Sequence, residues 1–236
     1  MQKTCGLFIT GTDTGVGKTY VAALIARALR AVGRRVGVYK PAASGCRHEG
    51  DSLVSDDALA LWEAAGRPGE LDRVCPQRFA APLAPHLAAN AGGKRFDADL
   101  LREGLVYWRA RSEIVLVEGA GGLMSPLGEE EYVADLAYDF GFPLVVVSRN
   151  VLGTINQTLQ TLITAATFRE GLDVAGVVLN HPGPPVEDAS TASNRAELAA
   201  RCVPPILGEV FWNAQQFDHE VDWFQLAGIG NHTEAD

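Results

Sequence analysis

The stretch Gly11-Thr12-Asp13-Thr14-Gly15-Val16-Gly17-Lys18-Thr19 decides how this chain is read. A strict phosphate-binding loop has four residues between its first glycine and Gly-Lys-Thr, which puts that glycine where this chain has Thr12; the glycine comes one place early, at Gly11. The context is nevertheless that of such a loop. The apolar run "CGLFIT" precedes it as a buried strand, and Lys18–Ala31 follows with helical spacing at Val21, Leu24, Ile25, Ala28 and Leu29. Gly15 and Gly17 let backbone N–H groups wrap an anion, and the helix start adds its dipole. Lys18 then reaches the outer phosphates, and the Thr19 hydroxyl is a ligand for Mg²⁺.

Outward from the loop, short Val/Ile/Leu runs alternate with helical stretches. "RRVGVYK", "EIVLVEGAGG", "PLVVVS", "VAGVVLN" and "PILGEV" read as further strands. Helices are expected from the Ser55 cap through Ala65, over Asp97–Arg111, and at about Asn156–Arg169 and Glu187–Arg201. Continuous apolar strands between helices predict an α/β fold, a parallel sheet covered on both faces, in one domain spanning the 236 residues. In such sheets ligands gather at the carboxyl ends of the strands. Lys18, Lys40, Glu118 and Asn180 all fall there.

Composition narrows the function. A net charge of −9 and the lack of a basic run argue against nucleic acid as a partner. No apolar run of membrane-spanning length and no signal-peptide pattern is present, so a cytoplasmic location is expected. Cys5, Cys46, Cys75 and Cys202 form no C-x-x-C pair and read as reduced thiols. The five histidines are scattered, which argues against zinc.

The chemistry-bearing residues fit a magnesium–phosphate site. Mg²⁺ takes one or two carboxylates and keeps waters. Glu118 closes a buried strand before a "GAGG" turn that admits a close backbone approach, and Asp56 and Asp57 open a helix. Lys40 closes the second strand in "YKPAASG", where a cation can stabilise charge that develops during phosphoryl transfer.

Taken in order, "GTDTGVGKT", "YKPAASG", "SDDALAL", "APLAPH", "VEGAGG", "VLGTINQT" and "LGEVFW" resemble the dethiobiotin synthetase family over about Gly6 to Trp212. The early Gly11 is that family's own form of the loop. The resemblance implies a relative of the P-loop ATPases, commonly a homodimer with shared sites. It would close a ureido ring on 7,8-diaminopelargonate with CO₂ and ATP. By analogy, Lys18 and Lys40 are the catalytic cations, and Thr19, Asp57 and Glu118 hold Mg²⁺, the alignment selecting Asp57 over Asp56. Gly15, Val16, Gly17, Lys18, Thr19, Asp57, Glu118, Gly119, Ala120 and Gly121 bind the nucleotide. Asn180, His181, Phe211, Trp212 and Asn213 meet its nucleoside. Thr14 and Ser44 meet the substrate head, and Gly153, Thr154, Ile155 and Asn156 of the partner subunit hold its distal carboxylate.

Two positions depart from the family pattern. Asn180-His181 stands where Asn-Asp is common, and Phe211-Trp212 where Pro-Trp is common, so both departures fall on base recognition. A ParA/MinD-like ATPase switch would need a signature lysine where this chain has Asp13. An amide ligase of the cobyrinic acid type would need an ammonia source, and the chain has no room for a glutaminase domain.

Overall fold

The computed structural model describes residues 4–184 and 188–228. Strand β1 (Cys5–Gly11) is buried along its whole length and leads through the glycine loop into helix α1 (Lys18–Ala31). After β2 (Val36–Tyr39) the chain makes a long excursion. It runs through β3 (Ala42–Ala43), the exposed hairpin of β4 (Arg47–Glu49) and β5 (Ser52–Val54), α2 (Asp56–Ala64), α3 (Leu71–Val74) and β6 (Gln77–Arg78). Helices α4 (Pro85–Ala91) and α5 (Ala98–Arg109) then return it to β7 (Ile114–Glu118). The remainder alternates: α6 (Val133–Phe140), β8 (Leu144–Arg149), α7 (Thr154–Thr167), β9 (Val174–Asn180), α8 (Ala189–Arg201), β10 (Ile206–Val210) and α9 (Trp223–Gly228).

Six strands pair in parallel in the order β10-β9-β8-β1-β7-β2. The expected parallel α/β sheet is therefore present, with its apolar strand residues forming the core. The chain first builds to one side of β1, through β2 and β7, and then crosses to β8 on the other side. The glycine loop leaves β1 at this reversal, where an open sheet forms a crevice for ligands.

Local chemistry explains the helix starts. Ser55 Oγ accepts from the Ala58 N–H at 3.2 Å, and Asp97 Oδ1 accepts from the Leu100 N–H at 3.0 Å, each satisfying a free donor of a first turn. α7 begins two residues before its expected start. Gly153, left-handed at φ 96, serves as its cap with no side-chain bond, so the usual Ser/Asp signal is missing there. α8 is described from Ala189 on, with Asp188 as its cap; the expected first residue, Glu187, lies outside the described residues.

Candidate active site

Register brings the site together. Tyr39 pairs with Val117 and Ile9 with Glu118, so Lys40 and Glu118 emerge side by side at the carboxyl edge beside the phosphate loop. Lys40 Nζ donates to Glu118 Oε1 at 2.5 Å and to the Gly119 carbonyl at 3.3 Å, and it lies 3.1 Å from Asp57 Oδ2. Thr19 Oγ1 donates to the same Glu118 oxygen at 2.9 Å. Asp56, the other acid of this turn, instead faces the surface and pairs with Arg47 at 2.9 Å. The two neighbouring aspartates are thus divided between structure and site.

Burial sets the electrostatics. Lys40 and Glu118 are 3% and 1% exposed, a depth at which neither charge is stable alone. Burial opposes the Lys40 charge, but attraction to Glu118 and Asp57 outweighs it and holds the ammonium above its ordinary range. Burial raises the Glu118 carboxyl despite Lys40. Asp57 is also penalised by burial, yet Lys40 pulls its carboxyl below the usual range. Lys18 is different. Burial first and Lys40 second push it down to about 8, and among the described residues its ammonium donates only to the Asp13 carbonyl, at 3.1 Å.

One acceptor in this cluster is orphaned: Glu118 Oε2 is buried with no hydrogen-bond partner among the described residues. An anionic oxygen beside a hydroxyl and a second carboxylate is the donor set that a hard divalent cation takes. Among the described residues no group of three or more His, Cys, Asp or Glu side chains is arranged to hold a metal, so a cation here would draw on Thr19 and on nucleotide oxygens as well.

The loop glycines are required by shape. Gly15 and Gly17 have φ of 69 and 98, and a Cβ on Gly17 would meet Asn180 Nδ2 at 2.1 Å. Asn180 Nδ2 donates to the Val16 carbonyl at 2.9 Å and so braces the loop from β9. Val16 is buried, while Thr14 is exposed. On the other side Gly121, at φ 78, leads to Gly122, whose N–H donates to Ser125 Oγ at 2.8 Å. Gly119 packs where a Cβ would meet Val133 at 2.8 Å, and Ala120 is partly buried beside it.

His181, one residue beyond β9, stacks on Phe211 with ring centroids 4.8 Å apart. Phe211 and Trp212 are half exposed, and Asn213 turns the chain at φ 57. Ser44 is exposed on the loop after β3, where the Gly45 N–H donates to the Ala81 carbonyl.

A cleft of about 370 Å³ runs between Thr12–Asp13, Gly122–Pro126 and the α7 residues Gln157, Gln160, Thr161 and Thr164. A larger groove, about 780 Å³, lies between α1 and Gln215–Phe224 and is lined by none of the site residues named above. At the start of α7 the N–H groups of Ile155 and Asn156 find no protein acceptor among the described residues. Gly153 and Asn156 are exposed there. Thr154 turns inward instead. It is fully buried and shares a hydrogen bond of 2.7 Å with Ser148 Oγ.

Arg149 is a site-edge residue the sequence reading did not single out. It ends β8 and donates from Nη2 to the Thr14 carbonyl at 3.0 Å, while its Nε is buried without a partner among the described residues. The signal was available, because a cation closing the buried run "PLVVVSR" occupies the same kind of strand-end position as Lys40.

Comparison with known proteins agrees with this geometry. A family model described as an AAA domain matches residues 5–218. A protein of Rhodopirellula baltica named ATP-dependent dethiobiotin synthetase BioD is 40% identical over 214 residues, covering 86% of this chain and 82% of that protein. Proteins of the same name from Anaeromyxobacter dehalogenans (strain 2CP-C) and Bacillus subtilis (strain 168) are 47% and 38% identical. They cover 82% and 86% of this chain, and 84% and 85% of their own lengths. Among solved structures, chloroplast FtsY from Physcomitrella patens superposes with a TM-score of 0.51 at 15% identity. That alignment covers 97% of this chain and 66% of the other, and it shows a shared fold alone. The phosphate loop, the buried Lys40–Glu118 pair and relatives of this identity and coverage converge: the chain belongs to the ATP-dependent dethiobiotin synthetase family.

Proposed function

We propose that this chain converts 7,8-diaminopelargonate, CO₂ and ATP into dethiobiotin, ADP and phosphate in a cytoplasmic step of biotin synthesis. One amine adds to CO₂ and loses a proton, giving a carbamate. A carbamate oxygen takes the γ-phosphoryl group of ATP and ADP leaves. The second amine then attacks the carbonyl carbon, expels phosphate and closes the ring. No strong general base is required, because the nucleophile of the phosphoryl step is already anionic; positioning and charge stabilisation carry the rate.

The observation that carries this reading is the pair of buried lysines, Lys18 and Lys40, at the phosphate loop and the strand end beside it. Lys40 is held charged by Glu118 and Asp57, and Lys18 projects from the loop with no carboxylate of its own within ion-pair reach among the described residues. In this reading Lys40 faces the carbamate and Lys18 the transferred phosphoryl group. Thr14 and Ser44 meet the diamine head. Thr19, Asp57 and Glu118 would hold Mg²⁺, which when bound neutralises charge on the phosphate oxygens; the orphaned Glu118 Oε2 supports that assignment. The free N–H groups of Ile155 and Asn156 suit a carboxylate. In a homodimer they would receive the substrate tail from the partner's site.

The test is ATP turnover measured with each co-substrate omitted in turn. Phosphate release should require diaminopelargonate and bicarbonate together. Turnover that is equally fast with neither would contradict the proposal.

A further inference from the structure

The cluster behind His181 assigns the hydrogen-bonding sense of its ring. Asn150 Oδ1 accepts from Asn194 Nδ2 at 2.8 Å, and Asn150 Nδ2 donates to the Thr191 carbonyl at 3.2 Å, which fixes how that amide is turned. Asn194 Nδ2 also donates to the Val151 carbonyl, so neither amide can flip without losing a backbone acceptor. His181 Nε2 therefore faces two competing neighbours. One is the Asn150 amide, a donor, at 3.2 Å; the other is Glu209 Oε2, an acceptor, at 3.0 Å.

A bond from an imidazole N–H to a carboxylate is charge-assisted and roughly twice as strong as a neutral N–H···N contact. The proton thus belongs on Nε2, directed at Glu209. Arg195 Nη1 lies 3.6 Å from the other oxygen of that carboxylate, Glu209 Oε1. In the neutral ring this leaves Nδ1 as a bare acceptor, and it has no protein partner among the described residues.

The position of that acceptor matters. His181 directly follows Asn180, which braces the phosphate loop, and it stacks on half-exposed Phe211. A flat aromatic surface beside a phosphate loop is where a nucleotide base can lie. Building on the nucleotide site proposed above, we infer that His181, with its tautomer fixed by Glu209, selects the base by its exocyclic group. It accepts from an amino group, as on adenine or cytosine, and rejects the carbonyl that guanine or uracil presents there. His181 reads the base and Glu209 is a positioning residue. Base selection is then relaxed between purine and pyrimidine but strict between amino and keto.

The experiment is calorimetric binding of Mg-ATP, Mg-CTP, Mg-GTP and Mg-UTP without diaminopelargonate, at a pH where ¹⁵N shifts show the His181 ring neutral. Wild type should bind ATP and CTP roughly 10- to 100-fold more tightly than GTP and UTP, the range for an unpaired polar group in a site. Its ring should show the single Nε2–H tautomer. In Glu209→Gln the amide can donate or accept, so the ring loses that single tautomer and discrimination falls below about threefold. His181→Phe keeps the stack, removes the acceptor and should abolish discrimination while nucleotides still bind through their phosphates; if it fails to fold, Glu209→Gln alone decides. Equal binding of all four nucleotides, a purine–pyrimidine split, or a discrimination unchanged in the folded variants would overturn the inference. Ring closure can fail while this selectivity holds, so the two readings fail separately.

Discussion

Lys40 and Glu118 form a buried ion pair, Nζ to Oε1 at 2.5 Å, between the ends of two adjacent parallel strands. Neither partner is replaceable at that depth, because removing one strands the other's charge away from water. The pair therefore links stability to catalysis.

Lys40→Gln should remove an ordered cation from a developing anion, which is worth roughly 10²–10³ in rate. It should also leave Glu118 uncompensated, so the ligand-free variant should melt well below wild type, with a loss of about 3–5 kcal/mol if Glu118 stays ionised. Low pH should restore part of this loss as Glu118 takes up a proton. Steady-state kcat and melting curves between pH 5 and 8 check both halves. A variant with kcat within threefold of wild type would make Lys40 a bystander.

Lys18 should make ATP binding depend on pH. In the ligand-free protein its proton is lost around pH 8, because burial and Lys40 disfavour the charge. Bound phosphate favours the ammonium and raises that value, so binding takes up a proton above pH 8 and none well below it. Affinity should be flat at lower pH and fall by up to about tenfold per unit above 8. Calorimetry in two buffers of different ionisation enthalpy reads the proton uptake. An affinity that does not fall between pH 8 and 9.5 counts against this role.

The shared site is tested by mixing subunits. Asn156 is exposed in the first turn of α7, so Asn156→Asp should fold and repel a substrate carboxylate, raising KM for the diamine. Mixed with Lys40→Gln, each hybrid dimer carries both lesions in one site and neither in the other. With random exchange about a quarter of all sites are then intact. Activity at low substrate should rise towards about a quarter of wild type. No gain after confirmed exchange would place the carboxylate contact within one chain.

The six strands were legible in the sequence because strands buried on both faces are written as unbroken Val/Ile/Leu runs. The phosphate loop was legible because its glycines are imposed by backbone shape. What escaped was short or exposed. The β4–β5 hairpin carries Arg47, His48 and Glu49, all exposed, so it has no buried alternation to detect. Helix α6 is only eight residues long and buried on nearly every side, so it lacks a polar stripe. The Asn150–His181–Glu209 cluster depends on register: Glu209 pairs with Leu179, which puts it on the same face of the sheet as His181 across a strand pair whose register shifts at Ile206/Gly208. No linear spacing encodes that shift.

The most direct test of the account is mass spectrometry of the product made from diaminopelargonate, ATP, Mg²⁺ and ¹³C-bicarbonate. The expected product has the mass of dethiobiotin, one unit heavier than with ordinary bicarbonate, and forms in step with ADP. ADP and phosphate appearing with no labelled product, the diamine being recovered unchanged, would contradict it.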